Sequence, residues 1–178
     1  GTLTNGDYQA PFGWNSPRGT NVNYTRVKAI ADTDGFYFSN GGGTPQTATI
    51  TDCEVQSKFD CIAVFGSSAD YIEVYNTNLT STGPSATEEG VNDGISMGYG
   101  SSASVVVHGG TITVSGGDIR NYGVDFHLAS GNITLYDTQI TTSGTDDQDL
   151  SNTVSTGQLR VHNVGYDTDK TQGTITVF

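Results

Sequence analysis

Three aspartates occupy the same position of a repeated segment and could together do acid–base chemistry. Asp34, Asp60 and Asp93 each stand directly before a Gly or Cys that opens an apolar run. If the repeats stack as successive coils, the three carboxylates lie about 4.8 Å apart in one column. Carboxylates at that spacing repel one another, so at least one pKa should rise. Such a column is typical of an acid–base site, or less often of a Ca²⁺ site. The alternative is that each Asp only caps its own turn.

A second group of residues would project from the outer face of the same strands. Two and four positions after the Gly or Cys, this face carries Tyr37, Phe65, Asp125 and His127. Aromatic rings beside carboxylates suit a sugar, which is apolar on its ring faces and rich in hydroxyls at its edge. The alternative is that these are ordinary exposed strand residues. We interpret the four as candidate carbohydrate-binding residues, and we assign no metal-binding set and no other cofactor.

Two repeated patterns must position these residues. The first reads apolar, x, apolar, x, turn residue, x, x, apolar, which is typical of a strand that runs into a corner and then a second strand. Its five copies occupy residues 48–55, 72–79, 105–112, 133–140 and 159–166. The second pattern is a short strand with two wholly apolar columns. Its four copies occupy residues 35–38, 61–64, 94–97 and 123–126.

The two patterns keep step along the chain. Equivalent residues lie 24, 33, 28 and 26 apart in the first pattern and 26, 33 and 29 apart in the second. The shared 33 places an inserted loop at residues 82–92, which should overhang the aspartate column. Constant strand cores separated by variable loops are typical of a solenoid. Three parallel strands per coil predict an all-β fold, a right-handed parallel β-helix of about six coils over residues 21–178.

The two ends of this solenoid need a cover. Residues 1–20 contain Tyr8, Phe12 and Trp14 among Gly, Asn and Pro, and we expect this segment to act as a cap or a subunit contact. At the other end, residues 174–178 form an alternating strand with no cap after it. Because open β edges pair with other chains, we expect contacts between copies of the chain, either end to end or side by side as in a trimer.

The second pattern also carries a resemblance. Residues 32–35 (Asp-Thr-Asp-Gly) resemble the Asn-Thr-Asp-Gly motif of the polygalacturonase family, β-helix glycoside hydrolases of the pectin-lyase-like superfamily. Residues 59–63 (Phe-Asp-Cys-Ile-Ala) are similar to its Asp-Asp-Cys-Ile-Ala motif, and residues 92–98 (Asn-Asp-Gly-Ile-Ser-Met-Gly) to its Gly-His-Gly-Ile-Ser-Ile-Gly motif. The resemblance implies a β-helix and inverting glycoside hydrolysis, with Asp34 and Asp60 activating water.

Several residues depart from that family. Phe59 occupies the position of the general acid, and Asp93 occupies the position of a His. Asp125 and His127 stand where the family has the Arg and Lys that bind the substrate carboxylate. Because Asp125 would repel a polyuronate, we expect no polygalacturonase activity. The residues therefore favour a non-enzymatic module and leave a different polysaccharide-active enzyme as the alternative.

Charge and hydropathy exclude several classes of function. The 178 residues include 7 Lys+Arg and 19 Asp+Glu, a formal net charge of −12. Such a surface argues against binding to nucleic acid or to anionic membranes. No apolar run approaches the roughly 18 residues of a membrane-spanning helix. No signal-peptide pattern follows Gly1, so we expect a mature or trimmed chain.

Cysteines and sequons bear on the cellular location. Cys53 and Cys61 are either joined by a disulfide, as in secreted proteins, or are two small buried residues. Glycosylation sequons begin at Asn23, Asn78 and Asn132. We expect a secreted, extracellular or cell- or virion-surface β-helix with a structural, adhesive or filament-forming role that binds polysaccharide. The alternative is a hydrolase or lyase such as a tailspike-type depolymerase.

Overall fold

The protein is a parallel β-helix. The computed structural model describes residues 2–5, 21–40, 47–66, 70–84, 90–98 and 100–178. These described residues form nineteen strands, numbered in chain order, which make up three sheets with parallel pairings. Over residues 21–153 the chain visits the three sheets, called here C, A and B, in that order, so that each of these five coils contributes one strand to each sheet. The predicted fold class is therefore confirmed.

The sheets hold six, six and seven strands. Sheet A contains, in spatial order, β1 (Thr2–Asn5), β3 (Lys28–Ala31), β6 (Glu54–Ser57), β9 (Asn78–Ser81), β12 (Thr111–Ser115) and β15 (Gln139–Ser143). Sheet B contains β4 (Phe36–Asn40), β7 (Ile62–Gly66), β10 (Val91–Gly98), β13 (Arg120–His127), β16 (Asp147–Thr153) and β18 (Thr171–Gly173). Sheet C contains β2 (Asn21–Thr25), β5 (Thr47–Thr51), β8 (Tyr71–Tyr75), β11 (Ser104–His108), β14 (Asn132–Tyr136), β17 (Gln158–His162) and β19 (Ile175–Val177).

The core consists of stacked apolar columns, one from each inward position. The predicted columns are buried, with no member more than 4% exposed. They are Phe36, Ile62, Ile95 and Val124; Phe38, Val64, Met97 and Phe126; and Ile50, Val74, Val107, Leu135 and Val161. Because the strands stack in parallel and in register, each side chain packs on its equivalent in the next coil. An apolar residue at the same inward position of every coil is therefore enough to build the core.

The corner between sheets C and A uses the predicted turn residues. Asp52, Asn76, Gly109, Asp137 and Asn163 all have left-handed backbone, with φ between 46° and 69°. Asn, Asp and Gly tolerate this conformation better than other residues. Neighbouring coils also connect there, because Asn163 Nδ2 donates to Asp137 Oδ1 at 2.6 Å. The turn residue of the first pattern is thus the residue that bends the coil.

Glycine directly before three of the sheet-B apolar runs allows sheets A and B to approach closely. A Cβ at Gly35, Gly94 or Gly123 would lie only 2.2–2.4 Å from a Val or Ile methyl of sheet A. Contacts that short do not occur between real atoms, so each of these coils requires glycine at this corner.

Two predictions concern segments that are only partly described. Within residues 1–20, β1 pairs in parallel with β3 and so adds a strand to sheet A; Tyr8, Phe12 and Trp14 lie outside the described residues. In the inserted loop, β9 ends at Ser81 and β10 begins at Val91. Residues 85–89 lie outside the described part of the chain, so the predicted overhang stays a prediction. The one helix among the described residues, the 3-10 turn Thr168–Lys170, is too short and too polar to cross a membrane.

Candidate functional site

The predicted aspartate column is present at the start of the sheet-B strands. The backbone N–H of Gly35 donates to the carbonyl of Asp60 at 2.9 Å, and the N–H of Cys61 donates to that of Asp93 at 3.0 Å. Asp34, Asp60 and Asp93 therefore occupy equivalent positions in three successive coils. Asp60 and Asp93 are each 1% exposed, whereas Asp34 is only partly buried. Burial of two carboxyl groups side by side is unusual and needs a reason.

A cavity of about 180 Å³ opens on the outer side of sheet B next to this column. It is lined by residues of three successive strands, β7, β10 and β13, and of the turn that precedes β7. Its lining consists of Phe59, Asp60, Phe65, Asp93, Ser96, Gly98, Arg120, Asp125 and His127. Gly98 keeps it open, because a Cβ there would lie 3.3 Å from the Phe65 ring and 3.2 Å from the carbonyl oxygen of His127. We call this cavity the sheet-B cleft.

Three of the four candidate carbohydrate-binding residues line the sheet-B cleft. These are Phe65, Asp125 and His127. The fourth, Tyr37, lies one coil away with its ring centroid 5.9 Å from that of Phe65. His127 is oriented by Thr153, whose Oγ1 lies 2.8 Å from Nδ1. The outward alternation of the strands therefore brings these residues to one face, as the second pattern predicts.

Arg120 is the central residue of the cleft, and sequence reasoning missed it. Its Nη2 donates to Asp125 Oδ2 at 2.8 Å and to Asp93 Oδ2 at 3.2 Å, so these two carboxylate oxygens lie at most about 6 Å apart. Its guanidinium also lies over the Tyr122 ring, 4.9 Å from the centroid. The cleft therefore has a cation that offsets part of its negative charge. The feature of the sequence that could have pointed to Arg120 is the scarcity of basic residues, since the chain has only 7 Lys+Arg.

Burial and mutual repulsion change the protonation of the cleft. Loss of solvent, together with repulsion from Asp93, Asp34 and Asp125, raises the pKa of Asp60 well above its usual value. Burial raises the pKa of Asp93 to about 8, with Asp125 adding to the rise and Arg120 opposing it. Burial also raises the pKa of Asp125, although Arg120 and His127 both favour its ionised form. At neutral pH the cluster therefore holds protons.

Several polar atoms of the cleft have no protein partner within the described part of the chain. They include Asp60 Oδ1, Asp93 Oδ1 and Arg120 Nε, all of them buried. Native proteins leave few such atoms unsatisfied, because each costs about 1–3 kcal/mol. An ordered water or a hydroxyl group of a ligand would satisfy them, since each can both donate and accept. Asp93 also binds Arg120, so it does more than cap its own turn.

Phe59 places an aromatic ring where the polygalacturonase motif has its acid. It lines the cleft beside Asp60, and its carbonyl accepts a hydrogen bond from Ser81 Oγ at 2.6 Å. The acid–base groups that line the cleft are therefore Asp60, Asp93, Asp125 and His127. Within the described residues, no three or more His, Cys, Asp or Glu side chains are arranged to hold a metal ion.

The remaining candidate residues lie away from the cleft or in the core. Cys53 and Cys61 are buried free thiols. Cys53 Sγ lies 3.3 Å from the carbonyl of Thr51, and Cys61 Sγ lies 3.2 Å from Ser57 Oγ. Burial raises the pKa of Cys61 to about 12, which leaves the thiol unreactive. The sequon residues Asn23, Asn78 and Asn132 are all exposed on strands, where a glycan would be accommodated.

The fold and the cleft define the class of this protein: a parallel β-solenoid that carries a cluster of buried carboxyl groups on one sheet. Comparisons of the chain with protein-family models, with curated proteins and with solved structures gave no match. The likeness to polygalacturonases therefore rests on the short motifs of the second pattern alone.

Proposed function

We propose that the chain is a secreted or surface β-helix module that binds carbohydrate in the sheet-B cleft. The observation that carries the proposal is the composition of that cleft: the aromatic rings of Phe59 and Phe65 lie beside Asp125 and Arg120 in a cavity of about 180 Å³. Cavities for drug-sized ligands measure about 300–1,000 Å³, so this one suits a single sugar ring of a longer chain.

The chemistry of the cleft favours a neutral sugar. The aromatic rings would contact the apolar ring face, while Asp125 and Arg120 would exchange hydrogen bonds with hydroxyl groups. The protonated forms of Asp60 and Asp93 would add donors. A net charge of −12 repels polyanionic chains at a distance, which disfavours uronate polymers. Bound without turnover, such a ligand gives the module an adhesive or structural role at a surface.

Affinity electrophoresis against a panel of soluble neutral and acidic polysaccharides tests this proposal. We expect at least one neutral polysaccharide to retard the protein. Phe65→Ala should weaken that binding at least about tenfold, because it removes an aromatic wall of the cleft. Tyr71→Ala is the matched control: Tyr71 is an exposed aromatic residue of sheet C, 40% exposed, and its loss should leave binding unchanged.

Either of two results would refute binding in the cleft: no retardation by any polysaccharide, or equal loss with Phe65→Ala and Tyr71→Ala. Asp125→Asn serves as a second variant. It keeps the shape of the side chain while removing the charge that pairs with Arg120.

A second candidate function is hydrolysis of a neutral glycan in the same cleft. One observation favours it. The carboxyl group of Asp93, whose pKa is raised to about 8, lies close to the carboxyl group of Asp125, which is paired with Arg120. Glycosidases need one carboxylic acid to protonate the leaving oxygen and one carboxylate to act as base or nucleophile. Asp93 would hold the proton, and Asp125 would be the carboxylate.

An assay with polygalacturonate as substrate distinguishes hydrolysis of a neutral glycan from the polygalacturonase activity that the family resemblance implies. The protein has Phe59 where the family has a carboxylic acid and Asp125 where it has a cation. It should therefore release no reducing ends from polygalacturonate. Turnover of polygalacturonate that disappears in Asp60→Asn would contradict this expectation and restore the family mechanism. Hydrolysis of a neutral glycan that disappears in Asp93→Asn would instead support the second candidate.

A further inference from the structure

The corner between sheets B and C has an unusual composition. Gly100, Leu128 and Val154 all have left-handed backbone there, with φ of 77°, 52° and 56°. Glycine adopts this conformation freely, whereas Leu and especially β-branched Val adopt it only at a cost. Leu128 and Val154 are also 45% and 75% exposed. Neither backbone geometry nor core packing explains why large apolar residues stand at these two positions.

The corner between sheets C and A shows which residue types usually occupy a left-handed position. Between sheets C and A, six of the seven left-handed residues in the stacked coils are Asp, Asn or Gly, and the remaining one is the polar Arg26. At the B–C corner, hydrogen bonds from the next coil hold the strained turn in place: Ser155 Oγ donates to the carbonyl of Phe126 at 3.0 Å and lies 3.2 Å from the N–H of Ala129. The strain of Leu128 and Val154 is therefore retained rather than relaxed.

In the three coils that carry Gly100, Leu128 and Val154, the chain around this corner has no acidic residue, and Asp70 of the preceding coil is 6% exposed. Residues 94–108, 126–136 and 150–166 contain neither Asp nor Glu, although the chain has 19 of them. Apart from tyrosines, their charged or titratable side chains are the three histidines and Arg160. A chain with a net charge of −12 repels its own copies over most of its surface. Here two copies can approach without placing carboxylates against each other.

A cavity adjoins Val154, one of the two exposed apolar residues. It has a volume of about 330 Å³, and Val154 forms one of its walls. Asn152, Gly157 and Leu159 contribute to the rest, so its lining holds no charged side chain from these strands. A protruding apolar pair next to an uncharged hollow is self-complementary, which is the requirement for a twofold contact between identical surfaces.

We infer that the B–C corner is a docking surface for a second copy of this chain, with Leu128 and Val154 of each copy packed against the corner and hollow of the other. The two β-helices then lie side by side. This goes beyond glycan binding, because the surface lies at the end of the sheet-B strands and not in the cleft. It also differs from end-to-end stacking, which would leave the corner exposed.

Sedimentation velocity of the whole chain over about a hundredfold range of concentration tests this inference. The wild type should show a concentration-dependent dimer. The double variant Leu128→Asn/Val154→Asn should weaken association at least about tenfold, because it removes the apolar contact. Since Asn tolerates left-handed backbone, the monomer should keep its Tm or gain a few degrees. Ile119→Asn, at an apolar residue 53% exposed elsewhere on the surface, is the matched control and should leave association unchanged.

Three outcomes would overturn the inference. The first is a wild type that remains monomeric at the highest concentration. The second is a double variant that associates as strongly as the wild type, which would point to end-to-end contacts. The third is a marked fall in the Tm of the double variant at low concentration, which would assign the two side chains to folding of the monomer. Polysaccharide binding is measured separately, so its failure leaves this result unaffected.

Discussion

Between about pH 4 and pH 8 the free energy of unfolding should fall by several kcal/mol as the pH rises. The cause is the buried cluster of Asp60, Asp93 and Asp125, whose pKa values are raised in the folded state. An unfolded Asp titrates near pH 3.9, whereas folded Asp93 titrates at about 8. In that interval the folded state binds more protons than the unfolded state, so stability decreases as protons are lost. Urea unfolding at a series of pH values measures this slope.

Neutral variants provide the control for the pH experiment. Asp93→Asn cannot ionise, so its stability should change much less with pH than that of the wild type, and it should be the more stable protein at pH 9. The charged groups that face Asp93 are Asp34, Asp60, Asp125 and Arg120, and they remain in this variant. A wild type that gains stability from pH 4 to pH 8, or an Asp93→Asn variant with an unchanged slope, would contradict a protonated cluster.

Truncation of the core should have the other large effect. Leu135 is fully buried in the sheet-C column between Val107 and Val161. Leu135→Ala should lower the free energy of unfolding by about 2–5 kcal/mol, because it removes buried methyl groups and leaves a cavity. Leu128→Ala makes the same chemical change at an exposed position, so it should cost the monomer less than about 0.5 kcal/mol. Guanidinium unfolding at low protein concentration compares the two, and equal losses would contradict the assigned columns.

The fold could be predicted because each coil repeats the same requirements. A strand with two inward apolar residues, a left-handed corner and a second strand recur with little change. The structure adds a coil before the first predicted copy, with Val22 and Tyr24 in β2 paired to Ala48 and Ile50. The pattern missed it because Arg26, with φ of 52°, stands where the other coils have Asp, Asn or Gly. At Arg26 the next coil holds the turn, since the N–H of Arg26 donates to the carbonyl of Thr51 at 3.0 Å, and the residue's own backbone preference does not.

A further strand of sheet B was missed for a related reason. In β16, Leu150 pairs with Val124, and Asn152 pairs with Phe126. The second pattern has a Gly or Cys followed by two inward apolar residues. In β16, Asp149 stands at the position of the Gly or Cys, and Asn152 stands at the position of the second apolar residue. Asp149 is 2% exposed and accepts hydrogen bonds from the N–H and hydroxyl of Thr142, so a polar network replaces apolar packing at this coil. A pattern of apolar residues cannot detect such a substitution.

The site was predicted in part. The column of Asp34, Asp60 and Asp93 follows from the repeat, since equivalent positions stack in a parallel solenoid. Arg120 lies outside both patterns, and its contacts with Asp93 and Asp125 depend on how a long side chain crosses from one coil to the next. The contact with Asp93 joins two coils that are 27 residues apart in sequence, which the local pattern around Arg120 does not encode. Its presence changes the interpretation of Asp125 from a repulsive charge to one half of an ion pair.

The position of a bound sugar on the protein tests the central claim most directly. Backbone amide spectra of the isotopically labelled chain would be recorded during titration with an oligosaccharide cut from the polysaccharide that binds. We expect the largest shifts at Phe65, Ser96, Gly98, Asp125 and His127, the residues that line the sheet-B cleft. Saturable shifts confined to sheet C or to the corner at Leu128 and Val154, with the cleft unperturbed, would contradict the account.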